Sequence, residues 1–168
     1  MRRSKKKSMA QASYTGVSKE GLIVSRIMTN HITDDCKCLE SLIQCVDIEK
    51  ITEVLADTGY DSNNTYIVLE NKGIKATIAP HKNAKTAYTQ PRSDTINYIK
   101  EKGYHVERNK NKYGRREIVE NTIYRYKSII GAKLRSRKWD NQDVETLLGC
   151  HILNKMTNLG MPQSLKLT

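Results

Sequence analysis

The chain has 168 residues, 38% hydrophobic and 28% charged, with 29 Lys and Arg against 18 Asp and Glu for a formal net charge of +11. That length holds one domain with a core, or a core plus an extension. No apolar run approaches the roughly 20 residues of a membrane span, and the basic opening "MRRSKKKSMAQ" has no apolar stretch behind it, which excludes an ordinary secretory signal; a cytoplasmic protein without a membrane partner is expected.

Residues 1–10 form a basic N-terminal segment, with five cations between positions 2 and 7. From residue 11 onward, "QASYTGVSKEGLIVSRIM" places β-prone residues on both sides of the turn "SKEG", so a hairpin with strands near 11–17 and 21–28 is expected. "DDCKCLESLIQCVD" follows with Leu39, Leu42, Ile43 and Val46 at helical spacing, and Asp34 and Asp35 read as caps. Cys36 and Cys38 point about 200° apart on such a helix. With Cys45 and Cys150 they form no C-x-x-C pair, so they read as small core or surface residues, not zinc ligands.

"ITEVLAD" is a short apolar run that ends in an acid, a buried strand at 51–56 followed at once by Asp57. "SNNTYIVLENKG" reads as a helix from a Ser/Asn cap to Gly73, and "IKATIA" as another strand stopped by Pro80. Asp61 adjoins Ser62 and Asn63 and reads as a helix cap. Residues 80–112 form a polar loop or insertion with a short helix near 93–102. A long helix spans 113–130, and a last helix over 139–160, capped by Asp140 or Asn141, carries Val144, Leu147, Leu148, Ile152, Met156 and Leu159. His81, His105 and His151 lack a partner at useful spacing.

The order strand, strand, helix, strand, helix, strand, then helices implies an α/β fold, a mixed sheet with flanking helices. Residues 98–138 hold 13 Lys and Arg against 4 acids. With the N-terminal cations they contain all of the positive excess, the footprint expected of a nucleic-acid site. Within the long helix, Tyr113, Arg116, Glu120 and Lys127 fall inside an arc of about 60° at 100° per residue. They border the apolar face of Val119, Tyr126 and Ile130, which places Glu120 half-enclosed at a groove. Arg116 and Glu120 could equally be an ordinary i,i+4 pair, worth about 0.2–0.5 kcal/mol.

The segment "YGRREIVENTIYRYK" is similar at every fixed position to the signature around the catalytic glutamate of DDE transposases from bacterial insertion sequences: Tyr, two residues, Arg, three, Glu, six, Lys. "ADTGYDS" resembles the family's segment around its second catalytic aspartate, here Asp57. "IAPHKNAK" resembles its basic loop, and "SRKWDNQDVETLLGCHILNKMTNLGMP" its C-terminal helix. The resemblance covers essentially the whole chain and is closest to the insertion sequence 4 and 5 superfamily.

It implies a ribonuclease H-like sheet that here lacks its first strand and first aspartate, so that residues 11–168 are the partial, N-terminally truncated catalytic domain of a transposase. It further implies Asp57 and Glu120 as catalytic residues and ligands of Mg²⁺ or Mn²⁺, with two ions in the complete site. Tyr113, Arg116 and Lys127 are the implied DNA- and phosphate-binding residues. The implied partners are transposon-end and target DNA, and a homo-oligomer or a mixed oligomer with a full-length transposase. Two readings follow: a metal-dependent DNA strand-transfer enzyme, catalytically incomplete by itself, or a non-catalytic DNA-binding remnant that interferes with a full-length relative.

Overall fold

The structure, a computed structural model, describes residues 11–30, 35–81, 83–85, 90–103 and 117–160. It begins with the expected hairpin, β1 (Gln11–Val17) and β2 (Ile23–Asn30), paired antiparallel from Gln11↔Asn30 to Val17↔Ile23 with an irregularity between Gly16 and Val17. The turn closes because Gly21 adopts φ 80° and the Ser18 hydroxyl accepts from the N–H groups of Glu20 and Leu22, each at 3.3 Å.

Helix α1 (Asp35–Gln44) and a 3-10 turn (Ile48–Lys50) lead to β3 (Glu53–Ala56). A second 3-10 turn (Thr58–Tyr60), α2 (Asn63–Asn71) and β4 (Lys75–Ile78) complete a strand–helix–strand unit in which β3 and β4 run parallel, Glu53↔Lys75 to Ala56↔Ile78. Ser62 caps α2 as expected, accepting from the Thr65 N–H at 3.2 Å. Gly73 closes the helix at φ 67°: the Gly73 N–H donates to Glu70 O and the Ile74 N–H to Leu69 O, both at 2.9 Å. This crossed pair satisfies two of the end carbonyls of α2.

Helix α3 (Gln90–Lys102) starts earlier than expected and claims part of the segment read as loop. Pro91 had suggested irregular chain, yet it sits in the first turn, where its missing N–H has no intrahelical partner to lose. Helices α4 (Glu117–Ile129) and α5 (Trp139–Asn158) follow. Residue Lys138, not Asp140 or Asn141, is the N-cap of α5. Asp140 instead lies in the first turn, where an acid still complements the helix dipole.

Two clusters hold the fold. Leu39, Ile43, Ala56, Tyr66, Leu69, Ile74 and Ile78 join α1 and α2 to the parallel pair. Ile23, Cys150 and Leu153, with Val17 and Tyr126 against them, join the hairpin to α4 and α5. Helix α1 touches the hairpin as well as α2, and so links the halves. Among the described residues the strands form two separate two-stranded sheets. The hairpin and the parallel pair agree with a mixed α/β reading, but they share no ladder with each other.

The last helix corrects the sequence reading most. Its buried residues are Thr146, Gly149, Cys150 and Leu153, whereas Val144, Leu147, Leu148, Ile152, Met156 and Leu159 are exposed. Small and polar side chains let α4 and the hairpin approach this face closely: a Cβ added at Gly149 would lie 2.5 Å from Tyr126 Oη. Asn154 also lies toward the hairpin, since its side chain meets the Ile23 backbone. Cys38 and Cys150 are buried and Cys45 is exposed, all three as free thiols. The Cys36 side chain, like Asp34 and the Asp35 side chain, lies outside the described residues.

Candidate functional site

Between the hairpin and β3 runs an open groove of about 1870 Å³. Thr15, Gly16 and Val17 of β1 and all four residues of β3 line it, with α1 contributing Leu39, Leu42 and Ile43 and α4 contributing Ile118, Val119, Ile123 and Tyr126. Asp57, Glu120 and Lys127 all line this groove, beside Lys50, Lys133 and Arg137. Two strand-end and helix elements far apart in sequence thus bring the candidate carboxylates and a set of cations to one opening.

Asp57 occupies the position expected of it. β3 ends on Ala56, which is buried, and the half-buried Asp57 turns the chain in extended conformation, φ −86° and ψ −179°. Its Oδ1 accepts from the Gly59 N–H at 3.0 Å, which fixes the carboxylate against the 3-10 turn. That is an ordinary turn cap, but it uses one oxygen. Asp57 Oδ2 has no hydrogen-bond or ion-pair partner among the described residues.

Glu120 corrects its expectation. It is exposed, not half-enclosed, because the buried stripe of α4 centres on Thr122. The Thr122 hydroxyl donates to Ile118 O at 2.7 Å. Lys127 is exposed in the last turn of the helix. Tyr113 and Arg116, together with His105, lie outside the described residues. His81 and His151 are exposed. Among the described residues, no three His, Cys, Asp or Glu side chains stand close enough together to hold a metal ion.

Asp61 is the residue that sequence reasoning placed wrongly. Ser62 does the capping, and the Asp61 carboxylate is fully buried, with 0% of its side chain exposed. Arg92 of α3 meets it with a fork: Nε donates to Oδ1 at 2.7 Å and Nη2 to Oδ2 at 3.1 Å. The His81 N–H, at the start of the loop after β4, donates to Oδ2 at 2.9 Å. Burial opposes ionisation of Asp61, but the Arg92 fork and the His81 N–H outweigh it and hold the carboxyl below its usual range. Arg92 fell in a stretch read as mostly loop, so its partner had no legible signal beyond an acid at the end of a turn.

A second ion pair ties α5 to the hairpin. Arg26 Nη1 donates to Asp143 Oδ1 at 2.6 Å, with the Arg26 side chain 11% exposed. The Arg26 hydrogen bond draws the Asp143 carboxyl down, and burial beside it pushes the Tyr126 hydroxyl and the Cys150 thiol up. Glu53, another carboxylate of the groove, accepts from Thr77 Oγ1 at 2.8 Å and pairs with Lys75 Nζ at 3.1 Å across the parallel strands.

No helix among the described residues is long and apolar enough to cross a membrane. Comparison with protein families matches residues 5–155 to the transposase DDE domain family. No solved structure matches the chain.

Proposed function

The chain belongs to the DDE transposase family, and we propose that it serves DNA transposition through Asp57 and Glu120, which would hold a divalent cation beside a cationic groove. The observation that carries this reading is the convergence of Asp57, from the end of β3, and Glu120, from α4, on one groove that Lys127, Lys133 and Arg137 also line. Carboxylate oxygens suit Mg²⁺ or Mn²⁺, hard cations that retain several waters. Asp57 offers an oxygen not engaged by its own turn. When bound in such a site, a pair of these ions stabilises the attacking and leaving oxygens of a phosphodiester.

The residues of this chain then have separable roles. Asp57 and Glu120 hold charge at the groove and Lys127 binds DNA phosphates beside it as a point charge, while the family signature gives Tyr113 and Arg116 a DNA-binding role, Arg through its fork. Lys133 and Arg137 extend that track. The family's site takes three carboxylates, and Asp57 and Glu120 are the two assigned to this chain. On this reading the chain acts as a transposase of the insertion sequence 4 and 5 type, on DNA in the cytoplasm of a bacterium. The second reading is a DNA-binding remnant that joins mixed oligomers.

The test is Mn²⁺ binding, followed by paramagnetic broadening or calorimetry, in the wild type, Asp57→Asn and Glu120→Gln. Each substitution should weaken binding at least tenfold and leave helix content and DNA affinity in place. Unchanged Mn²⁺ affinity in both variants would remove these residues from the site. An assay of metal-dependent DNA cleavage separates the two functional readings, because only the enzyme cleaves and only with Asp57 and Glu120 in place.

A further inference from the structure

The geometry points to Asp61 and Arg92 as a positioning pair that sets the Asp57 carboxylate and the basic loop after β4 in one frame; this rests on the reading of Asp57 given above. Asp57 and Asp61 bracket a single 3-10 turn. The Tyr60 N–H donates to Asp57 O at 3.0 Å and the Asp61 N–H to Thr58 O at 3.1 Å, so the turn is closed from both ends. At one end the carboxylate lines the groove; at the other it is buried and receives three N–H donors. A turn this short cannot swing at Asp57 while Asp61 is fixed.

The same pair holds the loop. The His81 N–H reaches Asp61 Oδ2, and Arg92 Nη1 donates to Lys85 O at 3.3 Å. Both ends of the segment "HKNAK" are therefore tied to the ion pair that anchors the Asp57 turn. A planar fork is required for this, because Nε and Nη2 serve the two carboxylate oxygens while Nη1 serves the loop. Lysine, with one compact head, cannot reproduce that geometry. A merely structural ion pair would stabilise the fold without any bearing on Asp57.

Arg92→Lys distinguishes the two roles, with Asn154→Ala as a control that weakens the fold at the contact of α5 with the hairpin. The readouts are the Gly59 amide resonance, which reports the Asp57 Oδ1 hydrogen bond directly, and Mn²⁺ affinity. In folded Arg92→Lys the Gly59 amide should shift or broaden and Mn²⁺ affinity should fall about tenfold, while Asn154→Ala should leave both as in the wild type. Should Arg92→Lys not fold, the double variant Asp61→Asn with Arg92→Gln, which removes both buried charges together, gives the same reading. A Gly59 amide that stays in place in the folded variant overturns the proposal. If Asp57→Asn leaves Mn²⁺ affinity intact, the metal reading of Asp57 fails, but the Gly59 amide still decides whether the pair positions the turn.

Discussion

Asn154 of α5 completes the outer edge of β2 at Ile23: its Oδ1 accepts from the Ile23 N–H and its Nδ2 donates to Ile23 O, both at 2.8 Å. A side-chain amide thus takes the place a neighbouring strand would occupy, and it seats the helix on the hairpin. Asn154→Ala leaves a donor and an acceptor unsatisfied in a partly buried contact, and should cost about 1–3 kcal/mol. Urea unfolding measures it. A loss below a few tenths of a kcal/mol would mean that water replaces the amide freely.

Gly149 should respond against helix propensity. In an exposed helix interior, Gly→Ala gains about 1 kcal/mol, but here the new methyl would meet the Tyr126 hydroxyl oxygen at 2.5 Å and two of its ring carbons at 2.9 Å. Gly149→Ala should therefore destabilise the fold, and pairing it with Tyr126→Leu should recover much of the loss. Thermal unfolding of the two single variants and the double variant checks this.

The two faces of α5 predict opposite sensitivities. Leu153 is 0% exposed, and Leu153→Ala should cost about 2–5 kcal/mol through lost burial and a cavity. Leu148, 56% exposed, and Ile152, 51% exposed, should each tolerate Ala within about 0.5 kcal/mol. Denaturant midpoints that rank the three the other way would contradict the orientation of this helix.

Acid should act through Asp61. Its folded pKa lies below the unfolded value near 3.9, so its contribution to stability is present above that unfolded value and is lost as pH falls through the folded one. Asp61→Asn strands the Arg92 guanidinium and should cost about 3–5 kcal/mol near neutrality. The gap to the wild type should begin to narrow as pH falls below the unfolded value, where the unfolded chain takes up a proton that the folded carboxyl resists, and close as the folded carboxyl is protonated in turn. Unfolding midpoints at stepped pH show whether the gap closes.

DNA affinity should be electrostatic. On duplex DNA its logarithm should fall with the logarithm of salt concentration at about −0.9 per phosphate contacted. Lys127→Ala, Lys133→Ala or Arg137→Ala should each reduce that slope by about one, uniformly across sequences. An affinity indifferent to salt would rule out this interface.

The sequence by itself determined the order of elements, the hairpin turn at Ser18–Gly21, the Ser62 cap and the Gly73 stop, because these follow from φ preferences and side-chain-to-backbone bonds within a few residues. It also marked Asp57 as the acid at a strand end, Glu120 and Lys127 as neighbours on one helix face, and the concentration of cations around them. Tertiary structure decided what depends on which neighbour arrives. Periodicity gave α5 an apolar stripe, yet Gly149, Thr146 and Cys150 permit a closer approach than bulky side chains do, and the helix is buried on that face. Asp61 had the local features of a cap until Arg92, 31 residues away, and the His81 N–H converged on it and left capping to Ser62. Glu120 is exposed since Thr122, two residues on and so about 160° round the helix, faces the hairpin: the Thr122 hydroxyl lies 3.5 Å from Gly21 O. Local chemistry fixes where chain elements begin and end, while burial and long-range pairing are properties of the assembled packing and have no local trace.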